Sequence, residues 1–270
     1  MKILFLSKYP TTHIGGVERH VREVGFRVQG SGNSVTTITT EDIKPPKIKY
    51  LGLLYIWYWL FKNRKLITDS DLVHIHDVFI WYLPFRFLYP RKKVYITFHG
   101  WEGKFPPTTW SIFNKRIANK STSGSIAVGK YIEKWYGIKA DYIIYGGINT
   151  TSLKLYGAQK LKNTIIWLGR QDADTGINEF KKWLSEQKVN YKVTYVTNVK
   201  NPEKNLKTAE FCVPSGYLSY LEAKNYGCKI MTFANNPLKE DYWNEIKLLK
   251  TIPTWDEVVN IYLKLWKTQK

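Results

Sequence analysis

The sequence predicts an α/β protein built as two doubly wound units that face one another across a cleft. Three observations carry that prediction. Short apolar and β-branched runs alternate with segments of helical periodicity, the pattern of parallel strands covered by helices. The alternation restarts after residue 160. Glycines and polar turns follow several of the apolar runs, at the carboxyl ends of strands where open α/β sheets bind ligands.

The elements follow in order. Ile3-Leu4-Phe5-Leu6 centres a first core strand, too short for a secretory signal. It leads through "TTHIGGVERHV" (11–21) into a helix over 17–29. Glycine weakens a helix, so Gly15-Gly16 marks a special backbone conformation or a close approach. Residues 34–39 form a β-branched second strand. "DLVHIHD" (71–77), "KVYITFHG" (93–100), "GSIAV" (124–128) and "ADYIIYGG" (140–147) are further strands, with helical segments between most of them. In the second unit 163–170, 191–198, 210–215 and 229–233 are strands, and 176–187 and 217–227 are helices. A last helix over 255–267 opens behind Pro253-Thr254, with Asp256 and Glu257 in its first turn. The expected division is 1–148 and 149–254, followed by the last helix.

Composition narrows the function. The chain has 270 residues and a formal charge of +19, and 44% of it is apolar or aromatic, which argues for real cores and against disorder. Residues 1–150 carry 22 Lys/Arg against 10 Asp/Glu. Such a surface fits an anionic partner: a nucleotide, a nucleic acid or an acidic membrane face. A general lysine-rich surface accounts for it equally. Cys212 and Cys228 make no disulfide framework, so a reducing, cytoplasmic setting is expected. The segment "YLGLLYIWYWLFKNRK" (50–65) is shorter than the about 18–20 apolar residues of a spanning helix. Trp and Tyr beside Lys62, Arg64 and Lys65 suit a peripheral contact at the inner membrane face. A buried helix between sheet and linker fits the same residues.

Several residues could do chemistry. N–H groups at a helix start bind anions, and absent Cβ atoms at Gly15 and Gly16 let a phosphate come close. The spacing is not GxGxxG, which disfavours a nicotinamide dinucleotide. His99 ends a strand, where a histidine donates to a ligand oxygen or moves a proton. His74 and His76 share a strand face, and lacking an evident third ligand they read as structural. Arg170 ends a strand and suits a diphosphate. Asp172 and Asp174, a DxD pair, read as a solvated loop. Glu222 lies one to two turns into a helix, where a carboxylate can accept both hydroxyls of a ribose.

These pieces occur in the order of one family. The chain resembles a retaining glycosyltransferase of the GT-B fold, with two Rossmann-like domains, and is most similar to glycosyltransferase family 4. "KILFLSKYPTTHIGGVERHV", "DLVHIHD", "ITFHGWEG", "WLGRQDADTG" and "FCVPSGYLSYLEAKNYGCKI" carry the resemblance in that order. It implies a donor site of Gly15, Gly16, Arg170, Thr175, Gly176, Ser215 and Glu222, with His99, Arg170 and Glu222 as the catalytic set and His13 and Glu102 on the acceptor side. It implies a nucleotide diphosphate sugar as donor, no cofactor and no metal, and a C-terminal helix, 255–270, that packs back on the first domain. The acceptor stays open between lipid, glycan and protein, and no specific nucleic acid is expected. Two departures stand out. Thr175 replaces the family's second phosphate cation, and Pro214 replaces its first carboxylate. Lys8, Lys104 and Lys130 are candidates for replacement charge. The stretch 198–210 is short for the usual extra strand and helix. A non-catalytic sugar-nucleotide-binding or glycan-binding relative is therefore the alternative, ahead of a basic nucleic-acid-binding protein. A sugar-nucleotide epimerase is disfavoured, because a longer chain with more acidic catalytic residues is expected of one.

Overall fold

The structure, a computed structural model, describes residues 1–10, 12–100, 103–149, 159–197, 199 and 202–267. The first unit comprises β1 (Lys2–Ser7), α1 (Gly16–Gly30), β2 (Ser34–Ile38), α2 (Thr40–Ile43), α3 (Lys49–Lys62), α4 (Lys65–Thr68), β3 (Leu72–His76), α5 (Phe79–Leu88), β4 (Lys93–Phe98), α6 (Thr109–Ser121), β5 (Gly124–Ala127), α7 (Lys130–Tyr136) and β6 (Tyr142–Ile143). Its six strands are all parallel, in the order β2-β1-β3-β4-β5-β6. β1, β3 and β4 are buried almost throughout, as continuous apolar runs require when helices cover both sheet faces.

The second unit comprises β7 (Leu161–Leu168), α8 (Ile177–Ser185), β8 (Lys192–Val196), α9 (Glu203–Thr208), β9 (Ala209–Pro214), α10 (Tyr217–Asn225), β10 (Lys229–Ile230) and α11 (Pro237–Lys247), followed by α12 (Trp255–Lys267). Its four strands are also parallel, in the order β10-β9-β7-β8. β7 shows the two-residue period of a covered strand. Ile166 and Leu168 pack on one face with Leu206, Cys212 and Ala223. Ile165 and Trp167 pack on the other with Ile177, Phe180 and Val213.

The two ends of the sheets join through helices. The main core extends from the first sheet into α10, α11 and α12. α12 buries Trp255, Val258, Val259, Tyr262, Leu265 and Trp266, one helical face, and lies against α1. α11 docks on α7, where Asp241 accepts from Lys134 Nζ (2.6 Å) and Trp135 Nε1 (2.8 Å).

Three expectations change. The strand over 140–147 pairs only at Tyr142 and Ile143, because Gly146 turns left-handed (φ +81°) and tucks beneath Tyr217 and Leu218. The strand over 229–233 pairs only at Lys229 and Ile230. α3 is not a buried helix. Ile56 and Leu60 face the core while Tyr50, Leu51, Leu54, Tyr58 and Phe61 are more than half exposed. Among the described residues no helix is long and apolar enough to cross a membrane.

Candidate active site

α1, which follows β1, meets α10, which follows β9, through Arg19–Glu222 and His20–Tyr217. α1 starts at Gly16, with Gly15 extended before it. The group that lies against Gly15 is the chain's own Glu18 carboxylate, 5% exposed, in space a Cβ would need. A carboxylate there answers the positive end of the helix. Its Oε1 lies 3.2 Å from Nδ1 of His13, whose ring stacks on Tyr9 and is otherwise largely exposed. Gly16 has open space where its Cβ would stand.

One turn further, Arg19 donates to Glu222 of α10, 203 positions away. Their side chains are 25% and 14% exposed, so the pair is substantially shielded from water. His20 lies beside it. Its Nδ1 is 3.4 Å from Tyr217 Oη, and its Nε2 is 2.9 Å from Tyr262 Oη.

From Tyr262 a buried chain of polar contacts runs on through the first sheet. Tyr262 Oη meets Thr97 Oγ1 at 2.8 Å, Thr97 meets His74 Nε2 at 2.8 Å, and Trp266 Nε1 donates to His74 Nδ1 at 2.9 Å. Hence His74 is structural. His76 Nδ1 instead meets His99 Nε2 at 2.9 Å. The His99 backbone N–H donates to the Asp77 carboxylate, 3.0 and 3.2 Å from its two oxygens. Asp77 holds a left-handed backbone (φ +62°), rare outside glycine, and also accepts from buried Lys115 at 3.3 Å. His99 Nδ1 is a buried nitrogen without a hydrogen-bond partner among the described residues. Burial first, then the proximity of His20, His74 and the Lys115 ammonium, hold His99 well below the usual histidine range. It is a neutral imidazole at pH 7, able to donate or accept at Nδ1. Among the described residues no three His, Cys, Asp or Glu side chains are arranged to hold a metal ion.

On the opposite side, β7 is followed by Gly169 (φ +118°), whose missing Cβ leaves room for the Ser215 hydroxyl. Arg170 is clasped by both aspartates of its own loop, Asp172 and Asp174, the latter at 3.1 Å. The DxD pair thus serves an ion pair, with Asp172 still largely exposed. Thr175 is buried and its hydroxyl donates to the Asp172 carbonyl (2.6 Å). Gly176 (φ +90°) lets α8 start beneath the Phe233 carbonyl. These two residues shape the loop. Ser215 N–H donates to Leu168 O (2.9 Å), which fixes the turn into α10. Glu102 lies outside the described residues.

Sequence reasoning passed over Arg19 and Lys239. Lys239 is 7% exposed, and its Nζ donates to Ser215 O at 3.3 Å. One signal was available: a lysine in the first turn of a helix that starts at Pro237 opposes the helix dipole.

Two Rossmann-like units built on parallel sheets are the architecture of the GT-B class. The model of Glycosyltransferase Family 4 matches residues 14–152, more than half of the chain, and the chain belongs to that family. No curated protein sequence matches it. Solved structures with the same fold include HepE of Anabaena in complex with UDP-glucose (13% identity, 99% of this chain and 90% of that one, TM-score 0.55). UDP-GlcNAc 2-epimerase from Methanocaldococcus jannaschii is another (13%, 99% and 100%, 0.53). Acinetobacter baumannii MurG is a third (9%, 97% and 99%, 0.53). At these identities the likeness is one of fold, shared by transferases and epimerases. Family and fold together make the chain a glycosyltransferase-type enzyme.

Proposed function

We propose that this chain transfers a hexose from a nucleotide diphosphate sugar to an acceptor hydroxyl, with retention and without a metal. The observation that supports it best is the Arg19–Glu222 pair. It brings the helix that opens at Gly16 against α10, the two elements assigned by resemblance to the donor's diphosphate and ribose.

In this reading Glu222 takes the ribose hydroxyls and Arg19 holds its carboxylate in place. Negative charge grows on the leaving diphosphate as an oxocarbenium-like sugar forms. Arg170 and the open backbone at Gly16 stabilise that charge, and preorganised donors of this kind are the largest catalytic contribution in many enzymes. Neutral His99 orients the sugar through Nδ1. The leaving phosphate assists the acceptor hydroxyl, and no protein base is assigned.

The test is calorimetric titration of UDP-, GDP-, ADP- and dTDP-sugars, with and without EDTA. One donor should bind, metal-independently, and Arg170→Ala should abolish the heat and the turnover. Near-normal turnover in that variant would remove the donor-site assignment.

A second reading has its own support. Arg170 is already neutralised by Asp172 and Asp174, and Pro214 stands in place of a carboxylate. A sugar-nucleotide-binding relative without turnover fits those facts, and donor binding with no transfer to any acceptor would establish it. The acceptor is proposed to lie at an anionic membrane face. The exposed α3 stripe Tyr50, Leu51, Leu54, Tyr58 and Phe61 ends in Lys62, Arg64 and Lys65, a combination that suits an interfacial helix. Flotation with phosphatidylglycerol vesicles but not phosphatidylcholine vesicles is expected, lost in Tyr58→Asp/Phe61→Asp. Equal behaviour on both vesicles would sink this part.

A further inference from the structure

We propose that Lys239 is the second phosphate cation of the donor site, delivered from α11 in place of the cation absent at Thr175. This rests on the nucleotide-sugar reading above.

Lysines are almost never fully buried without a paired carboxylate, because the ammonium loses its hydration. Among the described residues Lys239 has no such pair. Asp174, the acid whose charge acts on it, is bonded to Arg170. The ammonium instead sits over the rings of Tyr242 (4.5 Å) and Trp243 (4.9 Å) and makes one long bond to the Ser215 carbonyl. An ammonium has three N–H groups to give, so this arrangement leaves donors for a ligand.

The surroundings are built to hold it there. Its backbone N–H donates to Asn236 Oδ1 (2.9 Å), the cap of α11. Asn235 Nδ2 donates to Ala173 O (2.8 Å), which ties the start of α11 to the Arg170 loop. Trp243 Nε1 donates to Phe233 O (2.8 Å), which sets the ring beneath the ammonium. Lys239 therefore lies where the Arg170 loop and the Ser215 turn meet, the two segments that flank the expected diphosphate.

The charge environment adds a consequence. Burial, and then the Arg170 charge, lower the Lys239 pKa to about 8, against the opposing pull of Asp174. Tyr242 and Trp243 on its own helix and Ser215 on α10's approach add no charge at that pH. A diphosphate arriving beside it restores the proton. The terminal phosphate of UDP, with a second pKa near 6, is already ionised there.

The experiment titrates UDP, GDP, ADP and dTDP into the full chain at pH 8.0, in two buffers of different ionisation enthalpy. Expected is uptake of about half a proton with the nucleotide that binds, and affinity that falls toward about tenfold per pH unit above pH 8. Lys239→Met should lose about tenfold or more in affinity and all of the uptake. Lys239→Arg should keep affinity and show no uptake. Thermal melts without nucleotide check that each variant folds. A folded Lys239→Met that binds as the parent does overturns the proposal and leaves the donor reading standing. A purely structural lysine would show that pattern, with lower stability and unchanged affinity. If none of the four nucleotides binds at pH 7 or 8, the donor reading fails and Lys239's assignment falls with it.

Discussion

At the scale of single residues, the two adjacent glycines do different work. Gly15 makes room for the Glu18 carboxylate, whereas nothing stands within 4 Å of a Cβ at Gly16. Gly15→Ala should push Glu18 off the α1 start and cost about 1 kcal/mol, read by urea denaturation. Gly16→Ala should instead raise stability by up to about 1 kcal/mol, since alanine favours the helix. If the Gly16 backbone approaches a phosphate, the same variant should lose nucleotide affinity. A Gly16→Ala protein that is more stable and binds undiminished would show that the open space serves no ligand.

At the scale of elements, α12 is the piece whose packing decides most. It reaches the first sheet from beyond the second, and its buried Tyr262 hydroxyl is shared by His20 and Thr97. Tyr262→Phe leaves both short of a partner and should cost about 1–3 kcal/mol in urea denaturation, because an unsatisfied buried polar group carries its full desolvation cost. Trp266→Ala removes a side chain only 2% exposed together with the donor to His74. A loss of about 3–5 kcal/mol is expected. Wild-type stability in both variants would mean that α12 is peripheral to the fold.

At the scale of the whole molecule, buried histidines link stability to pH. Burial is the first cause that lowers His20, to about 3, and it also holds His74, His76 and His99 well below the ordinary value. Unfolded, these rings protonate near pH 6.5; folded, they stay neutral. The unfolded chain therefore binds more protons below pH 6.5, and the stability present above that pH is lost as pH falls. Each ring contributes a slope of up to about 1.4 kcal/mol per pH unit. Melting temperature should fall only slightly from pH 8 to 7, as folded Lys239 takes up its proton, and drop steeply between 6.5 and 5. His20→Gln should reduce that slope by about one proton. A flat profile from pH 7 to 5 would contradict the neutral burial of these rings.

The sequence by itself determined the alternation of strands and helices, the restart after residue 160 and the opening of α12, because periodicity, β-branching and capping act over a few neighbouring residues. β7 was legible as a covered strand, and α1 as a helix behind two glycines. Tertiary structure alone decided which long side chains meet. Arg19 reaches Glu222, Arg170 folds onto Asp172 and Asp174, and Lys239 settles under the Ser215 turn. It also decided which face of α3 stays exposed. The physical reason is the range of the forces. Backbone preference is written locally, whereas an ion pair or a buried ammonium depends on where elements tens to hundreds of residues apart come to rest.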